Sequence, residues 1–246
     1  MSNRCIDEIN PFLPIFAAPF QHIIMNNGKD FVVKVLNNAS KLRKSPKGSD
    51  VKSLFYTMKE HKHNKPTSGK LLISEPALRD FYFGRSVVLL VEHHNKEGTI
   101  GLILNKPIHL KLNQVVKEFP DNDFPLFLGG PVHPERLFYL HTLGDKIPGS
   151  IELIPGLFWG GEINKLMELI GLNLVTPEEV RFFIGYSGWE PDQLEKEMKE
   201  KSWVVTQCSI DTVISRHPEK LWSNMLKEMG NDYAIWANFP SDPILN

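Results

Sequence analysis

The stretch Ser86-Val-Val-Leu-Leu-Val-Glu-His-His-Asn-Lys-Glu-Gly-Thr-Ile-Gly-Leu-Ile-Leu-Asn105 decides the fold class. Residues 87–91 are continuously apolar and rich in β-branched side chains. Such a run is too short for a helix and suits a strand covered on both faces. Asn95 to Gly98 marks a turn, and Thr99 to Leu104 reads as a second strand. A short connection containing glycine favours antiparallel pairing, so the two strands are expected to form a hairpin.

Working outward, Gly69 to Ser74 reads as a strand stopped by Glu75-Pro76. Leu112, Val115, Val116 and Phe119 fall on one face of a short amphipathic helix ended by Pro120. Leu126 to Leu128, Leu137 to Thr142 and Ile151 to Ile154 are further strand candidates. Ile163, Leu166, Met167 and Ile170 repeat the helical spacing, with Gly171 placed as a C-cap. Val180 to Tyr186 reads as a strand running into Ser187-Gly-Trp189. A helix is expected from about Glu190, with Pro191 in its first turn and Asp192 placed for the dipole. It carries the acid-before-base pairs Asp192 with Lys196, Glu195 with Lys199, and Glu197 with Lys201. Trp203 to Thr206 is a strand. The last helix runs from about Pro218 to Gly230 and buries Leu221, Trp222, Met225, Leu226 and Met229. Strands and helices mix without the regular βαβ period of a doubly wound sheet, which favours α+β.

The whole chain has 246 residues, 28 basic and 29 acidic, with 41% hydrophobic and 23% charged residues. That is globular composition. The near-zero net charge argues against wholesale disorder and against broad attraction to nucleic acid. Two cysteines, Cys5 and Cys208, exclude a disulfide framework and a four-cysteine zinc site. Residues 1–57 carry 8 basic and 4 acidic residues, so the remainder has net charge −5. Residues 41–47 form a basic arm, read as a solvated linker, and Phe31 to Leu42 has a helix-like pattern. A start codon assigned too early would explain residues 1–57 as an extension that is disordered or not natively translated. N-terminal sequencing that found Met1 or Ser2 would remove that idea. Residues 58–246 are then expected to form a single domain. No apolar run is long enough for a transmembrane helix. Pro11 to Ile24 lacks a basic n-region and is broken by prolines, so a cytoplasmic location is expected.

Several motifs invite chemistry. Gly185-Tyr-Ser187-Gly-Trp189 has the strand-then-helix context of a nucleophile elbow, but the second glycine comes one residue too early. Glu92-His93-His94 ends a buried strand, yet with His133 and His141 it matches no standard zinc spacing. Gly129-Gly-Pro131 and residues 156–161 lack phosphate-loop order. Gly160-Gly161 before a helix could bind an anion, with a plain turn as the alternative. Arg85 precedes the buried strand at the mouth of the sheet, where an arginine commonly pairs with a carboxylate. Asn105 ends the next strand, where a local turn hydrogen bond would suffice. No cofactor or metal is expected.

Taken together, Gly69-Lys-Leu-Leu-Ile-Ser-Glu-Pro76, Phe83-Gly-Arg-Ser-Val-Val-Leu-Leu-Val-Glu-His93, Gly98-Thr-Ile-Gly-Leu-Ile-Leu-Asn105, Gly129-Gly-Pro-Val132, Leu137-Phe-Tyr-Leu-His141, Phe183-Ile-Gly-Tyr-Ser-Gly-Trp189, Gln193-Leu-Glu-Lys-Glu197, Trp203 and Phe239-Pro-Ser-Asp-Pro243 resemble the YqgE/AlgH family of bacterial proteins. They occur in the family's order over about residues 66–246. The resemblance implies a bifurcated, mostly antiparallel β-sheet with a small closed β-barrel, surrounded by helices. It supplies no catalytic residues or cofactor, and a transcriptional-regulator label travels with the family.

The expected function is therefore non-enzymatic recognition of a protein or small ligand. Arg85, Glu92, His93, Asn105, Tyr186, Ser187, Trp189 and Glu195 are the candidate surface, pictured as one exposed pocket of aromatic and charged groups. The alternatives are a hydrolase using Ser187 or Glu92/His93, and a transcriptional regulator. Direct DNA binding is disfavoured by the acidic balance after residue 57 and the lack of a basic recognition helix.

Overall fold

The computed structural model describes residues 65–238, apart from 79, 95, 118, 121 and 122. The basic arm, the Phe31–Leu42 helix pattern and the whole 1–57 extension lie outside the described residues. Ten strands follow one another as β1 (Lys70–Ser74), β2 (Val87–His94), β3 (Gly98–Ile103), β4 (Pro107–Lys111), β5 (Pro125–Leu128), β6 (Val132–His141), β7 (Ile151–Ile154), β8 (Leu157–Trp159), β9 (Val180–Trp189) and β10 (Trp203–Gln207). Six helices are interspersed: α1 (Leu112–Val115), α2 (Ile163–Gly171), α3 (Gln193–Lys199), α4 (Ile210–Val213), α5 (Pro218–Glu228) and α6 (Asn231–Ala237). No helix among the described residues is long and apolar enough to cross a membrane.

The expected hairpin forms: β2 and β3 pair antiparallel. The pairing path runs β10-β1-β2-β3-β9-β6-β8-β7 and branches at β9. Residues 182–184 of β9 have β6 on one edge and β5, running parallel, on the other. Beyond Gly185 the strand leaves β5, and residues 187–189 pair with β3 instead. The mixed, largely antiparallel sheet thus matches the α+β expectation. The small closed barrel does not form among the described residues. The path ends at β10 and β7, the branch ends at β4, and no pairing joins these ends.

Two irregularities set which side chains face which way. Between Leu90 and Glu92 the β2–β3 register shifts by one residue, and such a bulge reverses the facing of the residues beyond it. Before it, Val87, Leu89 and Val91 pack in one core cluster while Val88 and Leu90 pack in another. After it, His93 aligns with Thr99, and Thr99 with Trp189, on the second cluster's side. In β9 the switch is Gly185, whose φ is +65°. A Cβ there would lie 2.6 Å from the Gly130 carbonyl oxygen and 2.9 Å from that of Val132. Only glycine tolerates both the left-handed backbone and that approach. Phe183 and Tyr186, three apart, consequently share one cluster.

Several local expectations need adjustment. The strand continues through Ser187-Gly-Trp189, so there is no strand-to-helix elbow. The next helix starts at Gln193, because Asp192 is left-handed at φ +62°. Gly171 is the last helical residue of α2, and Asn173 takes the left-handed position at φ +56°. The last expected helix, α5, ends at Glu228, and a further helix, α6, comes after Gly230. The buried face of α5 is as expected for Leu221, Trp222, Met225 and Leu226, with Met229 packed at the cluster's margin.

Candidate functional site

The eight candidate residues do not share one exposed pocket. Tyr186 (2%), Trp189 (5%), Asn105 (9%) and Ser187 (0%) are all buried. Tyr186 lies in the first of these core clusters and Trp189 in the second, on opposite sides of the sheet. The Ser187 hydroxyl donates to the Gly129 carbonyl oxygen at 3.0 Å. With no exposed surface and its proton so engaged, Ser187 is a strand-packing residue in this geometry and not a presented nucleophile.

Asn105 and Arg85 work as a pair at the strand ends. The Asn105 Oδ1 accepts from the Val87 N–H at 2.9 Å, and its Nδ2 donates to the Arg85 carbonyl at 2.9 Å. This clamp holds Arg85 at φ +54°. Its guanidinium lies 5.0 Å over the Trp222 ring, a cation–π arrangement, and burial lowers its pKa. Beside it, Lys106 donates to the Phe81 carbonyl at 2.7 Å. Burial pushes the Lys106 ammonium down to about 8, against the opposing pull of Asp80.

His93 and Glu195 meet on the α3 side of the sheet, the face that Trp189 also occupies. His93 Nδ1 is 2.7 Å from the Thr99 hydroxyl. Its Nε2 faces Glu195 Oε1 across 3.8 Å, too far for a direct hydrogen bond. The two side chains are 10% and 36% exposed, so the gap opens at the rim. Behind them stands a wall of aromatic rings: Trp189, Trp203 and Phe83, with centroids 5.7–5.9 Å apart. Glu197 braces that wall. Its Oε2 accepts from both indole N–H groups, Trp189 at 2.9 Å and Trp203 at 2.7 Å. Its Oε1 accepts from Gln193 Nε2 at 2.9 Å. Glu197, expected to pair with Lys201 on a solvated face, turns inward instead. It is the residue of this site that sequence reasoning missed. The available signal was two tryptophans on adjacent elements with one carboxylate between them.

A second polar pair also went unselected as a unit. His133 is left-handed at φ +47° and stacks on Tyr186 at 5.9 Å between centroids. Its Nδ1 is 2.8 Å from Glu135 Oε1. Burial raises the Glu135 carboxyl, but its bonds to His133 and to backbone, with the His133 and Arg136 charges, outweigh that and leave it below its ordinary value. Glu92 lies on the Ile100 row, across the sheet from His93. His141 is buried in the second half of the molecule. Its Nε2 lies 3.0 Å from the Gly160 carbonyl oxygen and its Nδ1 accepts from the Leu143 N–H at 3.2 Å. That pattern fixes a neutral ring protonated at Nε2. The same contact, with Tyr139 donating to the Gly161 carbonyl at 2.7 Å, makes Gly160-Gly161 a packed turn, and Glu162 at the N-cap of α2 sets a negative charge where an anion would sit. Among the described residues no group of three or more His, Cys, Asp or Glu side chains is placed to hold a metal ion.

This architecture is shared with solved structures. A crystal structure of a protein from Corynebacterium diphtheriae superposes with TM-score 0.62 at 22% identity, covering 76% of this chain and 97% of that one. The solution structure of the AlgH protein from Pseudomonas aeruginosa gives TM-score 0.57 at 26% identity, covering 73% and 98%. Among sequences, a UPF0301 protein of Chlorobaculum tepidum is 44% identical over 178 residues, 72% of this chain and 95% of that protein. One from Bacteroides thetaiotaomicron is 42% identical over 182 residues, 74% and 92%. A family model described as AlgH-like matches residues 71–234, and the chain belongs to that AlgH-like family.

Proposed function

We propose that the chain is a non-catalytic recognition module that engages a protein or small ligand through the His93–Glu195 rim. The observation that carries this reading is the 3.8 Å gap between His93 Nε2 and Glu195 Oε1, set over an aromatic wall locked by Glu197. An imidazole nitrogen and a carboxylate so spaced can both bond one hydroxyl or amide group placed between them. The fixed wall removes the ordering cost that a mobile site would incur. Thr99 supports the rim from beneath by fixing the His93 ring. The burial of Ser187 weakens the acyl-transfer alternative. In this reading the protein is cytoplasmic, takes no cofactor and makes no direct contact with nucleic acid. Any effect on transcription passes through its partner.

Native mass spectrometry of protein purified gently from its host tests this, with His93→Ala and Glu195→Gln as comparators. The expected result is a defined adduct on the wild type, absent from both variants, whose melting temperatures stay near the parent's. A bare wild-type chain, or an adduct retained by both variants, overturns the assignment to this rim.

A further inference from the structure

Arg181 is the one charged residue in β9, and it is only 6% exposed. Its Cζ lies 4.4 Å over the Phe127 ring. Its Nη2 donates to the Ser215 carbonyl oxygen at 2.8 Å. Its Nη1 is buried and has no hydrogen-bond partner among the described residues. Burial pushes the guanidinium down to about 10, and no acid among the described residues opposes that. Buried ions without a counter-charge are strongly unfavourable and rare outside sites that use them. The planar fork of arginine suits oxyanions above other partners.

The cover over this cation is slight. Ser215, whose carbonyl accepts one guanidinium N–H, is followed by Arg216, whose Nη2 reaches Glu178 Oε1 at 3.7 Å. Those side chains are 82% and 56% exposed, and exposed pairs hold weakly. Glu178 belongs to the exposed segment just ahead of β9, so the pair joins the two strips of chain flanking Arg181. The same cover leads into α5, whose N-cap residue His217 makes no side-chain cap, leaving the positive end of a helix dipole nearby. Glu219 in the first turn, 3.5 Å from His217 Nδ1, partly offsets it.

We propose that Arg181 anchors a binding site for a small oxyanion, a carboxylate or a phosphate group, admitted beneath residues 214–217 when Arg216 and Glu178 part. The guanidinium stays stacked on Phe127, and the anion takes Nη1. The site lies with the first core cluster, across the sheet from Trp189, and does not depend on the His93–Glu195 reading.

Thermal unfolding of the full chain in sodium phosphate, sodium acetate and sodium chloride, matched for ionic strength, tests it. The side-chain nitrogen resonances of Arg181 are followed by NMR in the same series. Phosphate or acetate is expected to raise the melting temperature above chloride and to shift the Arg181 signals. A response to phosphate alone assigns a phosphate group, and a response to acetate assigns a carboxylate. Arg181→Met should abolish the response, and Arg181→Lys, which keeps the charge without the fork, should weaken apparent affinity by about tenfold or more. Glu178→Gln, which loosens the cover, should speed the approach to saturation. Identical melting in all three salts with unmoved Arg181 signals overturns the proposal and leaves a buried water as the partner of Nη1. An equal anion response in Arg181→Met also overturns it. Should Arg181→Met not fold, the wild-type resonances and Arg181→Lys decide.

Discussion

β9 carries a buried polar group at each end, and the two have opposite surroundings. At Trp189 the indole N–H meets Glu197, which also holds Trp203 and Gln193. At Arg181 Nη2 has the Ser215 carbonyl, and Nη1 has no partner among the described residues. The difference separates two uses of buried polarity. A fully satisfied group fixes neighbouring elements in place. A group left short keeps a capacity that something else must fill. Gly185 lies between them and turns the strand from one environment into the other.

The comparison breaks most completely at that glycine. Gly185→Ala is expected to cost roughly 4 kcal/mol or more, because a left-handed alanine must also displace two backbone oxygens. Urea unfolding measures it, and a loss under about 1 kcal/mol would mean that the bulge can move. Next comes the satisfied end. Glu197→Ala should destabilise by about 2–3 kcal/mol, since two indole donors lose one acceptor. Glu197→Gln, which keeps a carbonyl oxygen, should lose only about 1 kcal/mol. Tryptophan fluorescence during unfolding reads both, and equal losses would show that packing and not hydrogen bonding braces the wall.

A smaller effect comes from His141, which pairs in register with Val180 beside the Arg181 end. Burial lowers its pKa, with the Gly160 bond opposing. The folded value is thus below the unfolded one near 6.5, and the unfolded chain binds the proton first as pH falls. Its stabilising share is complete above about pH 6.5 and is lost toward the lower folded pKa, at no more than about 1.4 kcal/mol per pH unit. In urea melts at pH 7.5 and 5.5, the gap between wild type and His141→Gln should narrow at the lower pH. A constant gap would assign the whole effect to packing. The smallest change is expected at the unsatisfied end. In chloride, Arg181→Met should leave stability within about 1 kcal/mol of wild type, or raise it, because an unmatched buried charge is exchanged for an apolar chain. A loss comparable to that of Glu197→Ala would erase the contrast between the two ends.

How much of the molecule is legible in its sequence depends on where the information sits. The β2–β3 hairpin, α2 and the buried face of α5 are written in local apolar spacing, and each appears where that spacing puts it. β8 is a three-residue strand between Gly156 and Gly160, so its turn residues outweigh its apolar ones, and it reads as a loop. β4 alternates apolar and polar residues, but it is only five residues long and begins at Pro107, so that alternation does not stand out. The parallel pairing of β5 with β9 has no local mark, because 50 or more residues separate the partners. Among the candidate residues, His93 and Glu195 meet, with Trp189 on the same face of the sheet. Tyr186 falls on the face opposite Trp189 by ordinary alternation, Ser187 is buried against the Gly129 carbonyl, and it is the β2 bulge that brings His93 to the side of Trp189. Arg181 had a visible mark, a lone charge inside an apolar strand. The mark of Glu197, a carboxylate lying between two tryptophans in the chain, was masked because the same residue fits an ordinary salt bridge on a helix surface.

The openness of the sheet has a consequence for solubility. A closed barrel has no free edges, whereas this sheet leaves the outer sides of β7 and β10 without a neighbour among the described residues, and free edges invite pairing between molecules. β7 is four residues long, is bracketed by Pro148 and Pro155, and carries Glu152, which bonds back to the Gly156 N–H. β10 is five residues long and ends in Gln207, which holds Lys70 at the margin. Prolines, brevity and charge are what keep such borders from templating a second chain. What guards these borders against pairing with a second chain is therefore a set of residues that add nothing to the core.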